Sequence, residues 1–182
     1  MGQIRVIAGE AKGRRLETPN WEGLRPTSDR LRETLFNILA PRLAGARVLD
    51  GYAGTGALGI EALSRGAAHA TFVEKDARAV RLIRGNLERA GMKSAANACT
   101  IVRAGFVEMA ADHWEAPFDL VLLDPPYDDP SLGDAIVAAR RVLSDDGLIV
   151  LEHATRVAPP AGATRTVKAG DSSLSFYGKR NG

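Results

Sequence analysis

The sequence predicts an α/β protein built on a mostly parallel sheet. Short apolar segments alternate with amphipathic helical segments over most of the chain, the pattern of strands joined by crossover helices. The glycine-rich turn DGYAGTGALG, residues 50–59, follows the first strand of that alternating region, where open α/β sheets bind their ligands. A later strand, FDLVLLD, ends at Asp124 and runs straight into Pro125, Pro126 and Tyr127. Prolines stop a strand because they lack an N–H and fix φ.

The elements follow in order. IRVIAGEAKGRRLETP reads as two short strands around a turn, with Ile4, Val6 and Leu16 inward. In RPTSDRLRETLFNILAPRL, Thr27 or Ser28 caps a helix with an apolar face of Leu31, Leu35, Ile38 and Leu39, and Pro41 closes or kinks its end. ARVLD is a strand and GALGIEALSRG a turn and helix. ATFVEKD is the next strand, followed by a helix with Val80, Ile83, Leu87 and Ala90 inward. CTIVRA is a third strand, with a short helix near residues 106–112. FDLVLLD is the fourth strand, SLGDAIVAARRVL a helix and GLIVLEH the fifth strand. TRTVKAG and SSLSFYGKR read as a final hairpin at one sheet edge.

A length of 182 residues fits one domain with a sizeable core. The single cysteine, Cys99, excludes an internal disulfide framework, and His69, His113 and His153 show no metal-ligand spacing. No apolar stretch approaches membrane length and the first residues carry no signal-peptide core, so a cytoplasmic protein is expected. The net charge is only +2, but residues 1–32 hold seven Arg/Lys against four acids and residues 165–182 hold four against one. Residues 33–164 hold 13 against 17. Basic ends suit a polyanion partner; an unevenly charged solvated surface is the plainer alternative.

Gly54-x-Gly56-x-x-Gly59 matches a dinucleotide fingerprint, and Glu74 stands 20 residues after Gly54, at the end of the next strand. A carboxylate there accepts both ribose hydroxyls of an adenosine. The motif by itself is weak, and a purely structural tight turn also fits. A nicotinamide enzyme places its first glycine almost directly after the strand and needs a second domain for its substrate. Here Asp50 ends the strand, and a carboxylate beside two phosphates is unfavourable. S-adenosylmethionine (SAM), with an ammonium, a sulfonium and an adenosine, suits Asp50 and Glu74 together.

The Asp124 row fits methylation of a planar amine. The lone pair of an exocyclic base nitrogen is delocalised into the ring. Two hydrogen-bond acceptors on the NH₂ favour a tetrahedral nitrogen and balance its developing charge. Asp124 offers one acceptor and the Pro125 carbonyl the other, stiffened by Pro126. Tyr127 stacks on a base that has left its own stack. A rigid structural turn is the alternative.

The chain resembles the RsmD-type bacterial 16S rRNA (guanine-N2) methyltransferases, within the Rossmann-like SAM-dependent enzymes. The resemblance covers nearly the whole chain: RVIAGEAKGRRL, LRPTSDRLRETLFNIL, VLDGYAGTGALGIEALSRGA, FVEKD, DLVLLDPPY and GDSSLSFY. DPPY alone is shared with other amino methyltransferases. The resemblance implies a Rossmann-like SAM-dependent methyltransferase fold: a seven-stranded, mostly parallel sheet with an antiparallel last strand. An N-terminal β-hairpin extension over residues 1–24 precedes a methyltransferase domain over 25–182. The implied activity is one methylation of a guanine N2, the family's guanine 966, in 16S rRNA of the 30S subunit or its assembly intermediate. The implied cofactor is SAM, leaving S-adenosylhomocysteine (SAH), with no metal; the enzyme is expected to be a monomer with no membrane partner.

Carried over by residue, Asp124, Pro125, Pro126 and Tyr127 are the catalytic motif. Asp50, Tyr52, Gly54, Thr55, Gly56, Glu74, Lys75, Ala104, Gly105, Phe106, Thr27 and Arg30 are assigned to the cofactor. Arg5, Lys12, Arg14, Arg15, Arg25 and Glu33 are assigned to substrate RNA. Many relatives have an acid after the third parallel strand where this chain has Ala104-Gly105, so adenine recognition falls to backbone of residues 103–106 and to Phe106. Tyr52 replaces a commoner Phe. Two rivals remain: a DNA adenine-N6 or cytosine-N4 methyltransferase, which needs a DNA-reading region that 182 residues hardly allow, and a non-catalytic RNA-binding ribosome-assembly factor. His153 is expected to be a satisfied edge histidine, and Trp21 and Trp114 to be packed.

Overall fold

The structure, a computed structural model, describes residues 4–21, 27–92, 97–112, 114, 116–127 and 129–179. A two-stranded hairpin, β1 (Ile4–Arg5) and β2 (Arg15–Leu16), precedes helix α1 (Asp29–Leu43). There follow β3 (Arg47–Asp50), α2 (Ala57–Ser64), β4 (His69–Val73), α3 (Ala77–Arg89), β5 (Cys99–Val102) and α4 (Phe106–Met109). The chain ends with β6 (Phe118–Leu123), α5 (Leu132–Val142), β7 (Leu143–Ala154), β8 (Arg165–Ala169) and β9 (Ser172–Tyr177). A seven-stranded sheet has the order β5-β4-β3-β6-β7-β9-β8.

The β3–β4, β3–β6, β4–β5 and β6–β7 pairs are parallel. β9 inserts antiparallel between β7 and β8. The closing hairpin thus lies at one edge, as the sequence predicts, with its first strand outermost. From β3 the chain runs outward to β4 and β5, then returns to place β6 on the other side of β3. This reversal opens a crevice at the carboxyl ends of β3 and β6.

Alternation along β6 shows how the sheet is covered. Leu120 and Leu122 pack in a cluster with Leu31, Leu35, Phe36 and Leu39 of α1. Val121 and Leu123 pack on the opposite face with Ala135, Ile136 and Ala139 of α5. Period-two side chains buried on both sides explain the near-continuous apolar run in this strand. Ser28 caps α1, its Oγ accepting from Leu31 N–H at 3.2 Å. Pro41 neither closes nor breaks this helix, which continues to Leu43. The buried Leu43 side chain holds the last turn against the core. β7 begins earlier than the sequence predicts, directly after α5, with a register shift against β6 between Phe118 and Leu120. No helix among the described residues is long and apolar enough to cross a membrane.

The hairpin shares a core with the main sheet: Ile4, Val6, Ala11 and Leu16 pack with Ile60, Phe72, Ile83 and Leu87. A buried polar clamp reinforces this packing. Glu61 accepts from the backbone N–H groups of Ile7 at 2.8 Å and Ala8 at 3.0 Å, and from Arg65 Nε at 2.7 Å. The Ser64 hydroxyl accepts from Ala11 N–H at 2.9 Å and donates to Ala8 O at 2.6 Å. Arg32 is fully buried, donates to Arg5 O at 2.9 Å and faces Glu61 at 3.8 Å. Removing one side of such a buried network leaves charges and amides without partners. Glu61→Ala is therefore expected to cost about 3–5 kcal/mol of stability, read as a lowered urea midpoint. A midpoint within experimental error of wild type would show that the clamp contributes nothing.

Candidate active site

The crevice is a broad cleft of about 1530 Å³. Its walls come from the Gly51–Thr55 loop, the end of β4, the start of α4, the Asp124–Tyr127 row and the β8–β9 turn. The strand ends position its chemistry. Asp50 ends β3, Glu74 follows β4, Asp124 follows β6, and Glu152 lies near the end of β7.

The glycine loop is held from below. Gly54 and Gly56 adopt φ of 54° and 79°, a left-handed backbone that suits glycine. A Cβ at Gly59 would stand 2.3 Å from the Phe72 ring, so this glycine lets α2 lie close on β4. Glu74 Oε2 accepts from Gly54 N–H at 2.9 Å and Oε1 accepts from Asp76 N–H at 2.9 Å. The Gly54 amide is thus spent on Glu74 and not free for a ligand, contrary to the simplest reading of the motif. Asp50 Oδ2 accepts from Gly59 N–H at 3.0 Å, while buried Asp50 Oδ1 has no partner. Burial, aided by the charges of Asp124 and Glu74 and only partly offset by the Gly59 bond, pushes the Asp50 carboxyl up to about 7. Asp50 and Gly56 lie behind the loop rather than on the cleft wall.

Tyr52 packs its ring against Phe106, centroids 5.6 Å apart, and burial pushes its hydroxyl up to about 12. Both line the cleft with Thr55, Lys75, Ala104 and Gly105. On the other side, Thr27 Oγ1 donates to Asp124 Oδ2 at 2.7 Å, and the Tyr127 hydroxyl bonds Ser172 Oγ at 2.7 Å. Thr27, assigned from the sequence to the cofactor, is therefore placed on the Asp124 row. Arg30 lines the cleft, whereas Glu33 is exposed on α1 and outside its wall. Arg5, Lys12, Arg14 and Arg15 are exposed on the hairpin, away from the cleft; Arg25 and His113 lie outside the described residues.

Sequence reasoning missed Glu152. It is 6% exposed, lines the cleft and lies within hydrogen-bonding reach of Asp124, Thr27 and Ser172. Its signal was available: a carboxylate near the end of the parallel strand beside β6. Its neighbour His153 is buried, with its ring nitrogens on Ala154 O at 3.1 Å and Ser175 Oγ at 2.8 Å. Trp21 was assigned to packing and instead lines the cleft, with Arg78 5.0 Å from its ring centre. Trp114 packs edge-on against Phe118. Among the described residues no His/Cys/Asp/Glu group has the arrangement of a metal site.

An orphaned carboxylate oxygen behind a tight loop, a second carboxylate at the next strand end and an apolar wall at Phe106 fit a nucleoside bearing a cationic amino acid. Fold and cleft together define a SAM-dependent methyltransferase. The comparisons with known proteins agree. The model of a family described as conserved hypothetical protein 95 matches residues 4–178. The ribosomal RNA small subunit methyltransferase D of Escherichia coli is 44% identical over 153 residues, covering 83% of this chain and 75% of that protein. A Bacillus subtilis protein named "Putative rRNA methyltransferase YlbH" is 35% identical over 184 residues, 97% of this chain and 100% of that protein. The solved structure of the E. coli "Putative methyltransferase yhhF" superposes with a TM-score of 0.83 at 37% identity, covering 100% of both chains. The chain belongs to this RsmD-like family of Rossmann-fold SAM-dependent methyltransferases.

Glu74 anchors the loop and lines the cleft. Glu74→Ala is expected to weaken SAM and SAH equally, by at least the roughly 1.5–3 kcal/mol of a charged hydrogen bond, in calorimetric titrations. Unchanged binding of both ligands would remove Glu74 from the cofactor site.

Proposed function

We propose that this protein methylates the exocyclic N2 amine of a guanine in 16S rRNA, within the 30S subunit or its assembly intermediate. The observation that carries this reading is the meeting of two sites in one cleft. The Glu74-anchored loop stands on one side of the β3/β6 reversal, and the Asp124–Tyr127 row stands on the other. The names of the E. coli and B. subtilis relatives support RNA as the substrate class.

SAM supplies an electrophilic methyl group on a sulfonium. In this reading Glu74 holds the ribose, and Asp50 lies nearest the amino acid portion through its unpartnered Oδ1. Tyr52 and Phe106 form the apolar wall beside the adenine, with backbone groups of Ala104 and Gly105. Asp124 and the Pro125 carbonyl accept from the two amine hydrogens. They orient the nitrogen lone pair across the cleft and balance the positive charge that develops on it. Thr27 fixes Asp124 Oδ2, which leaves Oδ1 for the amine. The bond to Ser172 holds the Tyr127 ring at the cleft, where it stacks on the extruded base.

The test measures methyl transfer from SAM to 30S particles, naked 16S rRNA and duplex DNA, with the product mapped to base and atom. Transfer to guanine N2 on the particle or rRNA is expected; transfer to DNA alone, or to none, would overturn the reading. Asp124→Ala is expected to lower single-turnover methylation about 10²–10³-fold without loss of SAM affinity. Turnover near wild type would remove Asp124 from the amine.

The basic hairpin is the second part of this reading. A cleft that holds one base cannot select a site in a large RNA, so a wider phosphate-contacting face is needed. Lys12, Arg14 and Arg15 are exposed on a hairpin whose backbone is clamped to α2. Their joint replacement by Ala is expected to lower kcat/KM on 30S particles with SAM affinity unchanged. Each lost phosphate contact should flatten the salt dependence by roughly 0.7–0.9 in log–log slope. Equal kcat/KM and equal slopes would assign these charges to a solvated face.

A further inference from the structure

Glu152 is a buried acid that the reading above does not use. β6 and β7 run parallel with Leu123 opposite Leu151, so Asp124 and Glu152 are the next pair along. Both line the cleft, and their carboxyl groups are within hydrogen-bonding reach of one another. Two carboxylates this close in a poorly solvated place cannot both be ionised.

Thr27 decides which acid keeps the proton. Its single hydroxyl hydrogen is given to Asp124 Oδ2 at 2.7 Å, and a hydrogen bond to the charged form favours that form. Asp124 is therefore the anion, and Glu152 carries the hydrogen donated to it. The Tyr127 and Ser172 hydroxyls, 2.7 Å apart, stand beside the pair.

We propose that Asp124 and Glu152 share one proton, carried on Glu152, and that Glu152 is thereby a positioning residue that aims Asp124 and keeps the pair at a single negative charge. One charge matches the single positive charge that develops on a methylated amine. Burial raises both carboxyls above their ordinary range, and the Asp124 charge raises Glu152 further.

Other charged groups border the pair. Asp50 ends β3, and Glu74 stands beyond it after β4. Arg30 from α1, Asp129 after the Asp124 row, and Arg156 and Asp171 from the β7–β9 side line the same cleft. His153, next to Glu152, bonds Ser175. None of these is altered in the variants below.

The shared proton rests on the strand pairing of Asp124 with Glu152 and on the Thr27 bond, whereas its catalytic use rests on the reading of Asp124 as the amine acceptor. Two measurements separate them. The first is thermal stability of the cofactor-free protein across pH. A carboxyl raised on folding adds stability that is complete below its unfolded range and is lost as pH climbs through its folded value. Wild type should lose stability from the ordinary carboxyl range up through neutrality, in part through Asp50. Glu152→Gln should remove the Glu152 share, because its amide cannot ionise. A wild-type slope in this variant would overturn the proposal.

The second measurement is the pH profile of turnover on 30S particles. Wild type should fall at alkaline pH as the pair loses its proton. Glu152→Gln, whose NH₂ still donates to Asp124, should stay within roughly threefold of wild type at neutral pH and resist the alkaline fall. Glu152→Ala should lose about 10²-fold, the scale of a misplaced reacting group, with SAH affinity unchanged. Gln as damaged as Ala, or an unaltered profile in Gln, would overturn the positioning role. If wild type methylates no RNA while the stability slopes differ as expected, the substrate reading fails and the shared proton stands.

Discussion

The polarity of the parallel strands is the constraint on which the site depends. β3, β4, β6 and β7 point the same way, so their carboxyl ends share one edge. At or near each of those ends stands an acid: Asp50, Glu74, Asp124 and Glu152. Glu74, Asp124 and Glu152 line the cleft and Asp50 stands behind its glycine loop, so like charges gather at this edge. Burial raises Asp50, Asp124 and Glu152, and neighbouring acids add to the rise at Asp50 and Glu152. The cofactor-free protein therefore carries an electrostatic cost at this edge, which a ligand with an ammonium and a sulfonium offsets. A pyrophosphate would worsen it, which is the physical reason the glycine loop suits SAM rather than a dinucleotide.

The hairpin and the loop are parts of one mechanical unit. Asn86, buried on α3, accepts from Glu17 N–H at 2.7 Å. Its Nδ2 donates to Glu17 O at 3.0 Å and to Thr55 O at 2.9 Å. One amide thus joins the strand that follows the basic turn to the glycine loop. On the other side, Arg32 of α1 holds the Arg5 carbonyl. The face that displays Lys12, Arg14 and Arg15 is accordingly fixed with respect to the cleft. In the proposed reading, that rigid offset between the basic face and the cleft is what selects one nucleotide.

What could be read in the sequence, and what could not, follows from the range of the interactions. Strand and helix order came through because burial on both sheet faces leaves continuous apolar runs such as Val121–Leu123, and because Ser28 and Gly54-x-Gly56 mark local backbone requirements. The Asp124 row was legible because prolines punctuate it. Pro41 misled because the tertiary anchor at Leu43 outweighs a local breaker in the last turn. The buried Arg32–Glu61–Arg65 group was invisible, since its partners are backbone amides some 50 residues away that carry no side-chain signature. Glu152 was overlooked for a related reason. Its meaning depends on register with Asp124, which only strand pairing supplies. The bond of Thr27 to Asp124 was not legible because it crosses 97 residues.

That Thr27 bond changes the meaning of the helix start. Ser28 turns the chain into α1 by accepting from Leu31, and the residue just before it donates to Asp124. Capping the helix and fixing the Asp124 carboxylate are thus one local event in the chain, although the carboxylate lies 97 residues away. α1 is itself seated by Leu31, Leu35 and Phe36 on the sheet face behind β6. The packing that orders α1 therefore also sets where the Thr27 hydroxyl stands. Loss of apolar volume at Leu31, one turn from the cap and on the cleft wall, would loosen the Asp124 carboxylate without touching any charged group. The aim of the Asp124 carboxylate is a property of the helix–sheet interface as much as of the Asp124–Tyr127 row.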